Sequence, residues 1–183
     1  MKLRRVPLMW LLLLILAGGV AVTTTGFSVR ADDKVPEGKK KMQMFGVAFY
    51  NLENLFDTIN NNGKYDIEFS PEGKNNWNGH KYRSKIRNMA HAISQMTTKA
   101  TPMGPAIIGV SEIENRSVLE DLVAADAIKD WNLGIIHHDS PDRRGVDVGM
   151  LYNPRCFMPI RTTNHTLVVP ELPYFKTRDQ MCV

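Results

Sequence analysis

The chain has 183 residues, 43% of them hydrophobic and 23% charged, with a formal net charge of +4. That is long enough for one domain with a real core, and the composition excludes both a disordered chain and a multi-span membrane protein. Four of the 23 basic residues (Lys2, Arg4, Arg5, Arg30) and none of the 19 acidic ones lie in residues 1–31, so the remainder is neutral and implies no general basic surface for nucleic acid.

Lys2, Arg4 and Arg5 precede an apolar run from Val6 to Val22, and Val29-Arg30-Ala31 supplies a small-residue exit. This is the plan of a secretory signal over residues 1–31, cut after Ala31, and it predicts export to the periplasm or the extracellular space. The alternative is an uncleaved anchor, because the run is near the short limit of a membrane span; membrane contact is expected only in that case. Residues 32–43 are polar and read as a disordered lead-in. The domain itself is expected over 44–183. MFGVAFY (44–50) predicts a strand, apolar nearly throughout as when both faces are covered. Residues 57–79 are rich in Asn, Gly and Asp and predict a long loop. Its segment 57–68 has the content of a calcium loop, but Gly63 falls one position late and Ile59 occupies a ligand position, so a surface loop is the better reading.

Tyr82, Ile86, Met89, Ala90 and Ile93 recur at helical spacing and predict an amphipathic helix over 81–97, with Lys, Arg and Asn outward. AIIGV (106–110) predicts a second buried strand. Ser117 to Glu120 reads as a capping box opening a helix to about Asp126, with Leu119, Leu122 and Val123 inward. WNLGIIHH (131–138), VDVGMLY (146–152) and CFMPIRTT (156–163) predict further strands, and RDQMCV reads as the start of another. This order implies an α/β layered fold with a mixed sheet. Cys156 and Cys182 are expected as two separate strand cysteines.

Two polar residues stand where buried strands should end. Glu112 follows AIIGV, and a carboxylate there is costly unless paired, hydrogen-bonded or bound to a metal. Asn51 leaves the first strand, and it shares the same edge if the two strands are neighbours. Open α/β sheets bind their ligands at such strand ends, and the two side chains offer hard oxygen donors of the kind Mg²⁺ takes. Spacing alone favours the plainer alternative, in which Glu112 caps a loop and Asn51 makes a turn. His137 and His138 cannot both serve one metal, since neighbours on a strand point to opposite faces.

FYNLENLFD (49–57), EFSPEGKNNW (68–77), AIIGVSEIEN (106–115), DSPDRRGVDVGMLYNP (139–154) and KTRDQMCV (176–183) occur in the order found in the endonuclease/exonuclease/phosphatase superfamily, the deoxyribonuclease I-like fold. The chain resembles its secreted bacterial branch from about Met44 to the end. The resemblance implies a four-layer α/β/β/α sandwich with mixed sheets, of which this sequence would be the N-terminal part, truncated after the first half. It also implies a Mg²⁺- or Mn²⁺-dependent hydrolase of phosphate esters, of nuclease or phosphodiesterase type. Glu112 would be the metal ligand and Asn51 a supporting one, Arg178 would grip the substrate phosphate, and Asp147 would orient a catalytic histidine. Glu114 stands where the nuclease has a substrate-side arginine, which argues against DNA. The family's histidine base and later Asp and Asn residues have no match before Val183, so the expected fragment is catalytically incomplete and poorly stable, with Val47, Ile108 and Met150 on an uncovered sheet face. The partner implied is a phosphate-ester substrate (nucleic acid, phospholipid or small phosphodiester), with no stable protein partner. The alternative is a non-catalytic secreted module or an inactive truncated product.

Overall fold

A computed structural model of the chain describes residues 43–59 and 67–183. The expected signal segment 1–31, the lead-in through residue 42, and residues 60–66 of the Asn-rich loop lie outside the described residues. Strand β1 (Gly46–Leu55) is followed by a helical turn at Ile67–Phe69 and by helix α1 (Gly79–Ser94). Then come β2 (Pro105–Ile113), α2 (Arg116–Val123), a second helical turn at Lys129–Trp131, β3 (Gly134–His137), β4 (Asp147–Tyr152), β5 (Thr163–His165) and β6 (Gln180–Cys182). The main sheet has the order β1-β2-β4-β3, with β1 and β2 parallel and β4 antiparallel to both of its neighbours. Strands β5 and β6 form a separate antiparallel pair. The fold is therefore α/β with a mixed sheet. Parallel pairing of β1 and β2 follows from the connection between them, which is long enough to carry α1 across the sheet.

Helix α1 begins where Asn78 accepts hydrogen bonds from the backbone N–H groups of His80 and Lys81, at 3.0 and 3.1 Å. Such a cap satisfies two donors that have no partner inside the helix. Its buried stripe is Ile86, Ala90 and Ile93. Helix α2 contributes Val118, Leu119 and Leu122, and the Tyr82 hydroxyl ties the two helices together by donating to Asp121 at 2.6 Å. Both helices pack on the sheet face formed by Ala48, Ile108 and Leu151, which share a register row, and by Val110. The partner of Val110 on β4 is Gly149. A Cβ on Gly149 would lie 3.0 Å from Leu119 Cδ1 and 3.2 Å from Ile113 Cδ1, so the missing side chain is what lets α2 sit close to the sheet.

The opposite face is apolar; it is open at β1, while Ile107, Met150 and Tyr152 are half-buried and share a pocket with residues of the segment 157–163 and with Cys182 and Val183. Val47, Ile107 and Tyr152 lie side by side there, as do Phe49, Gly109 and Met150. Val47 is 73% and Phe49 70% exposed, and the Phe49 ring lies across Gly109. Two expectations change as a result. β1 alternates between covered and exposed positions, so it is not covered on both faces. Ile108 is fully buried under the helices and does not share the opposite face with Val47 and Met150. An apolar run looks the same in sequence whether one face or two are covered, because alternation disappears when both faces carry hydrophobic residues.

Other differences are local. The cap of α2 is Asn115, whose Oδ1 accepts from Val118 N–H at 3.2 Å and from the Ser117 hydroxyl at 2.7 Å, while Glu120 pairs with Arg116. A Ser-x-x-Glu pattern therefore sits inside the helix, two residues too late to be its box. Of the predicted strand at 156–163 only the last residue is strand, since β5 begins at Thr163. Cys156 consequently lies in a turn, where Cys156 N–H bonds to the Asn153 carbonyl, and Cys182 lies on β6; both thiols are free.

Candidate functional site

Strands β1, β2 and β3 end, and β4 begins, along one edge of the sheet. This follows from the pairing directions, and it brings Asn51, Glu112, His137 and Asp147 to that edge. Both β1 and β2 break their ladders there. Register slips between Asn51 and Leu55 and between Ser111 and Ile113. Glu53, Asn54 and Glu112 take left-handed conformations, with φ of 51°, 56° and 60°. Glutamate rarely adopts that region, and holding it there costs on the order of 1 kcal/mol or more per residue. Bulges of this kind re-aim side chains, and they concentrate beside active sites.

The strained backbone is supported from α1. The Lys85 ammonium donates to the carbonyls of Glu53 and Asn54, the latter at 3.1 Å, replacing partners that the bulge withdraws from the ladder. Burial pushes the Lys85 pKa down, opposed by the charges of Glu53 and Glu112. The expected outward placement of every α1 lysine therefore fails at Lys85, which lies half-buried against the Trp77 ring, 5.6 Å from its centroid. Trp77 in turn donates its indole N–H to the Phe56 carbonyl at 3.0 Å, and Phe56 stacks on Phe69 at 4.4 Å.

Glu112 projects from the β2 bulge with its side chain 19% exposed. Its nearest cation is Arg178, 3.9 Å away, and no hydrogen bond reaches its carboxylate among the described residues. Asn51 is exposed, and its Oδ1 accepts from Glu53 N–H at 2.8 Å, leaving that oxygen a free lone pair. A largely desolvated carboxylate without donors is costly as it stands. The remedy that fits a carboxylate plus an amide oxygen is a hard divalent cation that keeps waters in its remaining positions.

Asp147 and His137 form a second group. His137 Nε2 and Asp147 Oδ2 are 3.1 Å apart, and both side chains are 4% exposed. Asp147 Oδ1 accepts from Ser140 N–H at 2.9 Å and from the Ser140 hydroxyl at 2.6 Å. The donor atoms of His137, Asp139 and Asp147 lie within 4.8 Å of one another, so this trio is also able to hold a metal ion. Asp147 does orient a histidine, but one turned into the protein. His138 points the other way, to the Thr162 hydroxyl at 2.9 Å.

Glu114 is not on an exposed substrate side. It is buried, and its Oε2 accepts from Asp57 N–H at 2.7 Å, which holds the segment following β1. The residues that sequence reasoning passed over are Asp142 and Arg144. Buried Asp142 accepts from Arg144 N–H at 2.8 Å and from its Nε and terminal nitrogen at 3.2 Å each. Burial pushes the Asp142 carboxyl up, but the bonds from Arg144 and the charges of Arg144 and Arg178 outweigh it and hold the carboxyl below its usual range. The Arg144 pKa is pushed up, chiefly by the bond to Asp142, with burial opposing and the charges of Asp142 and Glu112 adding. The only sequence signal for this clamp was the turn-rich Asp-Arg-Arg-Gly stretch.

The Endonuclease/Exonuclease/phosphatase family pattern matches residues 46–183, about three quarters of the chain. No curated protein and no solved structure matches the chain.

Proposed function

We propose, from the premise that this chain belongs to the endonuclease/exonuclease/phosphatase family, that it is a metal-dependent phosphodiesterase centred on Glu112. Membership carries the coarser statement, a divalent-metal-dependent hydrolase of phosphate esters. The observation that carries the finer one is the Glu112 carboxylate, turned out of the ladder at φ 60° with no hydrogen bond to it among the described residues. Glu112, with Asn51 in support, is suited to hold Mg²⁺ or Mn²⁺; when bound, the ion neutralises phosphate charge and stabilises the leaving oxygen. Arg178 is suited to grip the phosphate, because a guanidinium offers paired donors to two oxygens. Lys85 holds the Glu53–Asn54 bulge that follows Asn51. We further propose export, on the pattern of residues 1–31; the N-terminal sequence of secreted protein beginning at Asp32 is the check.

The test uses the whole chain. Mn²⁺ binding is titrated, and Mg²⁺-dependent hydrolysis of bis(4-nitrophenyl) phosphate is followed, in wild type and in Glu112→Gln. Wild type is expected to bind the ion and to hydrolyse the ester, and hydrolysis would overturn the expectation of catalytic incompleteness drawn from the unmatched histidine base. The variant should lose both and still melt at the same temperature. Binding retained by the variant would exclude Glu112 as the ligand. An ion bound through Glu112 without hydrolysis of any diester would favour a non-catalytic module.

A further inference from the structure

Beside the Glu112 edge, the segments 142–144 and 174–177 line an open cleft of 360 Å³. Its walls carry three cations, Arg143, Arg144 and Lys176, and one carboxylate, Asp142. That carboxylate is already committed to Arg144 through three hydrogen bonds. Arg143 uses one guanidinium nitrogen on the Tyr174 carbonyl, which ties the two walls together and leaves its other donors available. Among the described residues neither Arg143 nor Lys176 has a carboxylate within ion-pair distance. The cleft thus carries uncompensated positive charge, although the chain beyond residue 31 is neutral.

The cleft adjoins the proposed metal edge along the chain, although neither Glu112 nor Arg178 lines it. Arg178 lies two residues beyond Lys176, on the same strand-ward segment, and approaches Glu112 at 3.9 Å. The fields overlap as well, since Asp142 feels Arg178 and Arg144 feels Glu112. A guanidinium locked in place by a buried aspartate is preorganised and loses little freedom when it meets an anion. Tyr174, 81% exposed at the rim, adds an aromatic surface.

We propose that this cleft is a subsite for a second phosphate of the substrate, one that adjoins the phosphate hydrolysed at Glu112. The proposal rests on the phosphodiesterase reading and adds specificity to it: the preferred substrate is a diester carrying another phosphate group, read by Arg143, Arg144 and Lys176. A dinucleotide with a terminal phosphate and a small bisphosphorylated diester share that chemistry, and the test separates them.

The experiment compares kcat/KM for a thymidine dinucleotide with and without a 5′-phosphate, and for a non-nucleotide diester with and without a second phosphate. The proteins are wild type, the double variant Arg143→Ala/Lys176→Ala, and Lys74→Ala/Lys99→Ala, which removes equal charge from exposed sites outside the cleft. In wild type the second phosphate is expected to raise kcat/KM by about 10- to 100-fold, the range for one or two charge-assisted contacts. That ratio should collapse toward unity in the cleft variant and persist in the control. A gain seen in both substrate pairs identifies the phosphate itself; a gain confined to the dinucleotide identifies a nucleotide substrate whose base also contributes. A wild-type ratio near one, or a ratio unchanged in the cleft variant, overturns the proposal. Binding of inorganic pyrophosphate in metal-free buffer is measured in parallel, so that absent hydrolysis, which defeats the phosphodiesterase reading, still leaves a decision here. Affinity about tenfold weaker in the cleft variant supports the subsite, and equal affinity in all three proteins overturns it.

Discussion

Asp147→Ala tests most directly how the β3–β4 corner is held. The carboxylate is buried, with its side chain 4% exposed, and accepts from Ser140 N–H at 2.9 Å, the Ser140 hydroxyl at 2.6 Å and His137 at 3.1 Å. A hydrogen bond to a charged acceptor contributes about 1.5–3 kcal/mol, and a buried donor left without a partner loses its solvation as well. Three such contacts summed would overshoot, because the Ser140 hydroxyl can rotate and the segment after β3 can admit water. An expected loss of about 3–5 kcal/mol is the range for breaking one side of a buried pair. At the entropy typical of a domain this size, each kcal/mol is worth about 3 °C, so the melting temperature should fall by roughly 10–15 °C. Urea denaturation of the whole chain, in a cycle with Ser140→Ala, separates the bond from general disruption. Removing the hydroxyl as well as its acceptor should recover part of the penalty, giving a coupling of about 1–2 kcal/mol. A loss under about 1 kcal/mol, or additive single effects, would refute the view that Asp147 organises this corner.

Three further outcomes follow from particular residues. Asn78→Ala should cost about 1 kcal/mol, and Asn78→Gly only a few tenths, since the side chain is an exposed cap accepting from His80 and Lys81; thermal melts that rank the two the other way would show that the cap geometry is wrong. The depressed Asp142 carboxyl stabilises the fold above the unfolded aspartate value, and that contribution is lost as pH falls through the lower folded value. Urea midpoints of wild type and Asp142→Asn should therefore converge as acid is added through that window, and parallel curves would contradict the assignment. Phe49→Lys, on the open apolar face, should change stability little and raise the concentration at which the chain stays monodisperse by light scattering; marked destabilisation would mean that Phe49 is covered.

The strands that pack against α1 and α2 could be read from the chain because they are runs such as AIIGV and VDVGMLY, whose only stable destination is a covered sheet face. Asn51 and Glu112 were legible for the opposite reason: a polar side chain at the end of such a run must be satisfied by something. The helices were legible as stripes of apolar residues at the helical period. What sequence alone left open was direction and geometry. Glu112 reads only as a polar residue just past AIIGV, and only the slip between Ser111 and Ile113 puts it at φ 60° and out of the ladder. Lys85 reads as a surface lysine until the β1 bulge presents two carbonyls to it. Arg144 becomes a fixed cation only because Asp142, two residues away, is buried by contacts distant in sequence. Periodicity reports which residues avoid water, since each contributes through its own surface area. Which carboxylate faces which cation depends on how the strands pair, and pairing is a property of the assembled sheet.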